Sequence, residues 1–153
     1  NPGNIVDLSG KVVGRHQGLH LYTLGQRKGH GVASPREGMA YVVVAKEPSR
    51  NNLVVGWDER STAGLYAKVC TVTSLSCAGR EFLPPSGKFS CSVQPRYRSQ
   101  AESAHVERIE NRLEVHFDRA QRALTPGQVC AFYDGGQLLG GGIFESISPD
   151  ELQ

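Results

Sequence analysis

No long stretch of this chain runs without a turn signal, and that punctuation leaves room for little besides short strands. Ser9-Gly10 separates apolar runs at 5–8 and 11–14. Pro48 to Asn52 separates 39–46 from 53–56, Glu110-Asn111 separates 104–109 from 112–117, and Asp134-Gly135-Gly136 separates 128–133 from 137–144. Such residues between β-branched or alternating runs are hairpin signals, because glycine and asparagine reach the positive φ that tight hairpin turns need. The alternation is sharpest where Leu113, Val115 and Phe117 interleave with Glu114 and His116, which puts one face inside and the other in solvent. Further strands are predicted at 65–72 and 88–98, with the proline-bearing 82–87 as loop. Residues 19–24 fit neither period and are bounded by glycines, and a short helix is predicted there. Gly140-Gly141-Gly142 inside a strand run predicts a bulge or a close backbone approach. The chain therefore reads as mainly all-β. A small β-rich domain is expected over 1–60 and a barrel or sandwich over 65–149, joined through the polar, irregular stretch 58–64.

The 153 residues suffice for one domain or two small ones, and a charged content of 21% with 39% hydrophobic residues argues against disorder. The net charge of +2 is unremarkable, but its distribution is not. Lys11, Arg15, Arg27, Lys28 and Arg36 lie in a stretch from Leu8 to Arg36 without one acid, whereas residues 61–153 hold nine basic and ten acidic residues. A one-sign field on a balanced molecule suits an anionic partner; a solvated basic face is the other reading. No apolar run is long enough to span a membrane. The chain starts Asn1-Pro2-Gly3 and holds its one methionine at Met39, so we expect a piece of a longer polypeptide. Cys70, Cys77, Cys91 and Cys130 form no C-x-x-C pair, and Cys91 and Cys130 read as buried, reduced thiols, fitting a cytoplasmic protein.

Several motifs invite a catalytic interpretation and none completes one. Gly25-Gln26-Arg27-Lys28-Gly29 is glycine-rich but departs from the nucleotide P-loop pattern. His16 and His20 are spaced for one helix face, yet Gly18 lies between them and no third ligand is near; a pair of polar loop or surface histidines is expected. Cys77 has no neighbouring base, and Glu107, Glu110 and Glu114 read as a solvated face. The stretch Ser92-Val93-Gln94-Pro95-Arg96-Tyr97-Arg98 is more suggestive. Were the strand to continue through Pro95, Gln94, Arg96 and Arg98 would share a face, the two guanidiniums about 7 Å apart and able to engage successive phosphates. Tyr97 would then pack inside, or a twist at Pro95 would bring it out to stack on a base.

Four segments in order, "PGNIVDLSGKVVGRHQGLHLYTLGQRKGHGV", "YVVVAKEPSRNNLVVG", "VQPRYRS" and "RALTPGQVCAFYDGGQLLGGGIF", resemble the last two domains of the bacterial tRNA-specific 2-thiouridylase (MnmA/TrmU) family. The resemblance covers nearly the whole chain and is weakest at 61–65 and 75–87. It implies a small β-rich central domain followed by an elongation-factor-like β-barrel. It also implies a part in an ATP-dependent sulfurtransferase that adenylates C2 of the wobble uridine and replaces its oxygen with persulfide sulfur. The family's S-G-G-x-D-S loop and its G-I-C-F-type cysteine are absent from this sequence, so ATP and Mg would belong to the whole enzyme and no cofactor to this chain, which by itself is expected to be inactive. The implied partners are tRNAs for Glu, Gln and Lys, the family's nucleotide-binding domain and a sulfur-relay protein, with no membrane. The family's tRNA contacts carry over to Arg96, Tyr97 and Gln128; to these our reading of the residues adds Arg98, Arg27 and Lys28 as phosphate contacts. The competing expectation is a protein-interaction barrel that recruits a sulfur carrier.

Overall fold

The computed structural model describes residues 1–78 and 87–149. It divides between Tyr66 and Ala67 into two compact units.

The first unit is built on a four-stranded sheet. Its strands are β1 (Gly3–Asp7), β2 (Val12–His16), β3 (Tyr41–Glu47) and β4 (Asn52–Trp57), in the order β2-β1-β4-β3. The hairpins expected around Ser9-Gly10 and Pro48–Asn52 both form. In the first, the Asp7 carboxylate accepts the Ser9 hydroxyl at 2.6 Å and the amides of Ser9 and Lys11 at 2.9 and 3.0 Å. The Ser9 hydroxyl bond above all lowers the Asp7 pKa from its ordinary value. Hairpin signals could not foresee the parallel pairing of β1 with β4, which sets Ile5 beside Leu53 and closes the sheet. Ile5, Val43, Leu53 and Val55 are wholly buried, and Tyr41 stacks flat on Trp57 with ring centroids 4.4 Å apart.

Two histidines of this unit are structural. His16, expected as a polar loop or surface residue, is fully buried. Its Nδ1 accepts the Gly18 amide at 3.1 Å and its Nε2 donates to the Asn51 carbonyl at 2.9 Å. A Cβ on Gly3 would lie 2.7 Å from that Nε2, so only glycine leaves room for the bond. His20 is exposed, and both ring nitrogens of His16 are taken by backbone groups. His30 repeats the pattern, accepting from Val32 at 3.2 Å and donating to Tyr41 at 3.1 Å. The helix predicted over 19–24 shrinks to one 3-10 turn, Leu19–Leu21, because Tyr22 is extended and buried in the core.

The second unit is a closed six-stranded barrel. Its strands are β5 (Tyr66–Cys77), β6 (Gly87–Gln94), β7 (Glu102–Ile109), β8 (Arg112–Arg122), β9 (Val129–Asp134) and β10 (Gln137–Pro149), in the order β10-β5-β8-β7-β6-β9. Closure removes the exposed edges that an open sheet of this size would present. Leu113, Val115 and Phe117 point inward with Val93, Phe132 and Phe144, as alternation requires. The close approach expected at the glycine triplet is real. A Cβ on Gly142 would press on Val72 and sit 2.8 Å from the Thr73 carbonyl, beside a register shift between Gly141 and Ile143.

Cys70 and Cys130 are buried, and desolvation pushes each thiol pKa up to about 12. Cys91 is half-buried rather than buried, its pKa pushed up to about 11 by the same cause. Most of the loop predicted at 82–87 lies outside the described residues. Among the described residues there is no α-helix, and none is long and apolar enough to cross a membrane.

Candidate nucleic-acid interface

Within the first unit, the loop from Gly25 to Gly29 is held on the edge of β3. Gly25 donates its amide to the Val43 carbonyl at 2.8 Å, and the Val43 amide returns a bond to the Gln26 carbonyl at 3.0 Å. The Gln26 side chain closes the loop further, accepting from Thr23 at 3.0 Å and donating to the Lys28 carbonyl at 2.7 Å. These bonds fix where residues 27 and 28 leave the surface. The Arg27 guanidinium meets the Asp58 carboxylate at 3.2 Å, although it is 60% exposed. Lys28 is exposed, with no ion pair among the described residues. The pinning also decides whether the loop fits ATP. The amides of Gly25 and Gln26 are already committed to Val43 and Thr23, and no helix follows the loop. A phosphate cradle uses a run of free amides or a helix N-terminus, and this loop has no helix after it and two of its amides already spent. Among the described residues no group of three or more His, Cys, Asp or Glu side chains could hold a metal ion.

In the barrel, the expected common face for Gln94, Arg96 and Arg98 does not form. Strand β6 ends at Gln94, and the chain turns over 96–99. Pro95 cannot donate to a ladder, and Ser99 stabilises the turn instead. The Ser99 amide donates to the Arg96 carbonyl at 3.1 Å, the Ser99 hydroxyl donates to the same carbonyl at 2.8 Å, and the Arg96 amide donates to the Ser99 oxygen at 3.2 Å.

The three side chains of this turn have separate fates. Arg96 is half-buried and folds back on the barrel, its Nη2 donating to the carbonyls of Arg122 (3.1 Å) and Ala123. Burial first, and the neighbouring Arg122 second, lower its pKa from the ordinary guanidinium value. Tyr97 is 87% exposed, and the Arg98 guanidinium lies 5.3 Å from its ring centroid. Arg98 adopts φ 67, a conformation that costs a non-glycine residue about 1–2 kcal/mol. Holding a large ring out in water on a strained turn does nothing for the core, and such outliers point toward function.

The stretch from Ala123 to Gln128 lies against Arg96. Ala123 is buried at φ 53, and its carbonyl also accepts the Thr125 hydroxyl at 3.0 Å. Gln128 donates its amide to the Thr125 carbonyl at 3.2 Å, while its side-chain oxygen is buried without a hydrogen-bond partner. The barrel thus gathers Arg96, Tyr97, Arg98 and Gln128 on two adjoining loops. Motif reasoning did not single out three supporting residues. Asp58 sits in what reads as linker, Ser99 in an acid-free basic stretch, and Ala123 carries no polar side chain. Only the Ser99 position had a local signal, a serine three residues after an arginine that follows proline.

Comparison with known proteins agrees with this architecture. A family described as "tRNA methyl transferase PRC-barrel domain" matches residues 1–57, and one described as "Aminomethyltransferase beta-barrel domain" matches residues 68–144. A protein of Akkermansia muciniphila named tRNA-specific 2-thiouridylase MnmA is 55% identical over 97% of this chain and 40% of its own length. Proteins of the same name from Rippkaea orientalis and a Nostoc species are 45% and 42% identical, over 94% and 95% of this chain and 39% of their own lengths. The chain therefore spans about two-fifths of the length of the curated relatives it matches. With both of its units matched, the chain belongs to the tRNA-specific 2-thiouridylase family and carries that family's PRC-barrel and β-barrel domains.

Proposed function

We propose that this chain is the part of a tRNA 2-thiouridylase that grips and positions tRNA, while the chemistry is performed elsewhere in the enzyme. The reaction we assign to the whole enzyme is ATP-dependent thiolation at C2 of the wobble uridine with persulfide sulfur, in the cytoplasm. This chain's own residues bind and orient. Tyr97 offers a flat ring to a base, Arg98 sets a cation beside it, and Gln128 stands on the adjoining loop. Lys28 supplies a phosphate contact from a loop whose backbone is fixed in advance. Arg27 contributes a partial charge, since Asp58 shares it. Such contacts raise affinity without choosing a sequence; selection would come from the uridine that reaches the catalytic domain.

The observation that carries this reading is the Tyr97–Arg98 pair, exposed on a strained turn that Ser99 and Arg96 hold in place. Filter binding of tRNA to the chain at a series of salt concentrations tests it. Affinity should fall steeply with salt, and Tyr97→Ala should weaken it about tenfold or more. No saturable binding at low salt would refute the assignment and leave recruitment of a sulfur carrier as the better reading. The chain should also show no thiolation activity alone, and turnover by it would refute the division of labour.

A further inference from the structure

Resting on that reading, we infer that a hollow beside the Tyr97 turn is a second RNA subsite. It takes the nucleoside next to the one on Tyr97 and holds it by base and ribose rather than by phosphate. The hollow has a volume of about 320 Å³ and is lined by Ser92, Gln94, Ala101, Tyr133 and Gly136. Alternation along β6 builds its floor: Val93 is wholly buried in the barrel, so Ser92 and Gln94 face outward. The ladder sets Tyr133 of β9 directly opposite Ser92, which puts the two side chains next to each other on that outer face. Ala101 stands where β7 is about to begin, and Gly136, at φ 86, adds no side chain to the rim.

One side chain joins the hollow to the turn. Gln94 donates from Nε2 to the Ser99 carbonyl at 2.8 Å, and Ser99 closes the turn that presents Tyr97 and Arg98. The chemistry of the lining is that of a nucleoside site. None of its side chains is charged, so it offers a phosphate no counter-ion, and Arg98 stands outside it on the turn. The Ser92 hydroxyl has no hydrogen-bond partner among the described residues. The Tyr133 hydroxyl reaches the Gln94 Oε1 only across 3.4 Å, longer than a good hydroxyl bond, and the Gln94 amide keeps a second N–H. Two hydroxyls, an amide and an aromatic ring with spare capacity suit a base edge and a ribose 2′-hydroxyl, the groups by which single-stranded RNA is recognised. A larger hollow of about 440 Å³ on the same barrel offers no such set. Its His105 and His116 are spent on Asp118 and Glu114, and its Lys88 stands opposite Glu107.

Filling the hollow tests this without disturbing the turn. Ala101→Leu and Ser92→Leu each place a side chain in it and remove no hydrogen bond that holds residues 96–99. In tRNA binding against salt, each should weaken affinity about tenfold. The log–log slope should stay at the wild-type value, because the lost contact carries no charge. Unchanged tRNA affinity in both filled variants would overturn the subsite and leave the proposed function standing. If the wild-type chain does not bind tRNA, the proposed function fails, and a titration of the chain with adenosine or uridine then decides the hollow alone. The nuclear magnetic resonance signals of the Ser92, Gln94 and Tyr133 amides should shift saturably with the nucleoside, stay in place with inorganic phosphate, and no longer respond in Ala101→Leu. No shift at these amides, or equal shifts with inorganic phosphate, would overturn the inference.

Discussion

The loop at 25–29 and the turn at 96–99 carry the same kind of sequence, closely spaced cations with no acid nearby, and the fold treats them in opposite ways. In the first, the backbone is fixed by pairing with Val43, and both cationic side chains stay at the surface, Arg27 tied to Asp58. In the second, one arginine turns inward to hold the backbone of another loop, and an aromatic ring takes its place outside. The lesson concerns where a charge is used. An arginine beside a strand end can spend its donors on backbone carbonyls, whereas a lysine on a loop already closed by backbone bonds stays at the surface.

Four substitutions break or sharpen that contrast. Tyr97→Ala should have the largest effect on RNA affinity, a loss of about 1–3 kcal/mol for one stacked base. The exposed ring should contribute little to folding, so its urea midpoint should stay near wild type. Arg96→Ala should lower stability by about 1–3 kcal/mol in a urea titration, because the carbonyls of Arg122 and Ala123 each lose a charged donor. An unchanged midpoint would return Arg96 to the surface class. Lys28→Ala should leave stability alone and weaken tRNA binding a few-fold at low salt, with a slope shallower by about 1. Asp58→Asn should matter least for binding: the Arg27 end of the pair is 60% exposed, so the ion pair is worth about 0–1 kcal/mol, and its loss frees Arg27. Binding at low salt should then tighten slightly, and weaker binding would mean that Asp58 orients Arg27 for the RNA.

Much of the fold could be read before any coordinates. The Ser9-Gly10 and Asp134-Gly135-Gly136 hairpins, the alternation through Leu113, Val115 and Phe117, and the crowding at Gly142 all follow from local rules, and all are present. What escaped depended on partners distant in sequence. His16 is buried because the Asn51 carbonyl, 35 residues away, accepts its proton. Arg96 leaves its strand face because Pro95 ends β6 and carbonyls 26 and 27 residues on receive its guanidinium. The parallel partnership of β1 with β4 crosses a longer distance still and has no turn to announce it. The candidate site was legible as a set of residue types, and its division into inward and outward members was not.

Ultraviolet cross-linking of tRNA to this chain, with the adducts located by peptide mass spectrometry, tests the central claim most directly. The account predicts that the dominant adduct falls on the peptide carrying Tyr97, that it survives in Tyr97→Phe, which still stacks, and disappears in Tyr97→Ala, and that it survives in Arg98→Ala at reduced yield. Adducts confined to the outer face of β7 and β8, where His105 and His116 pair with Asp118 and Glu114, would contradict it.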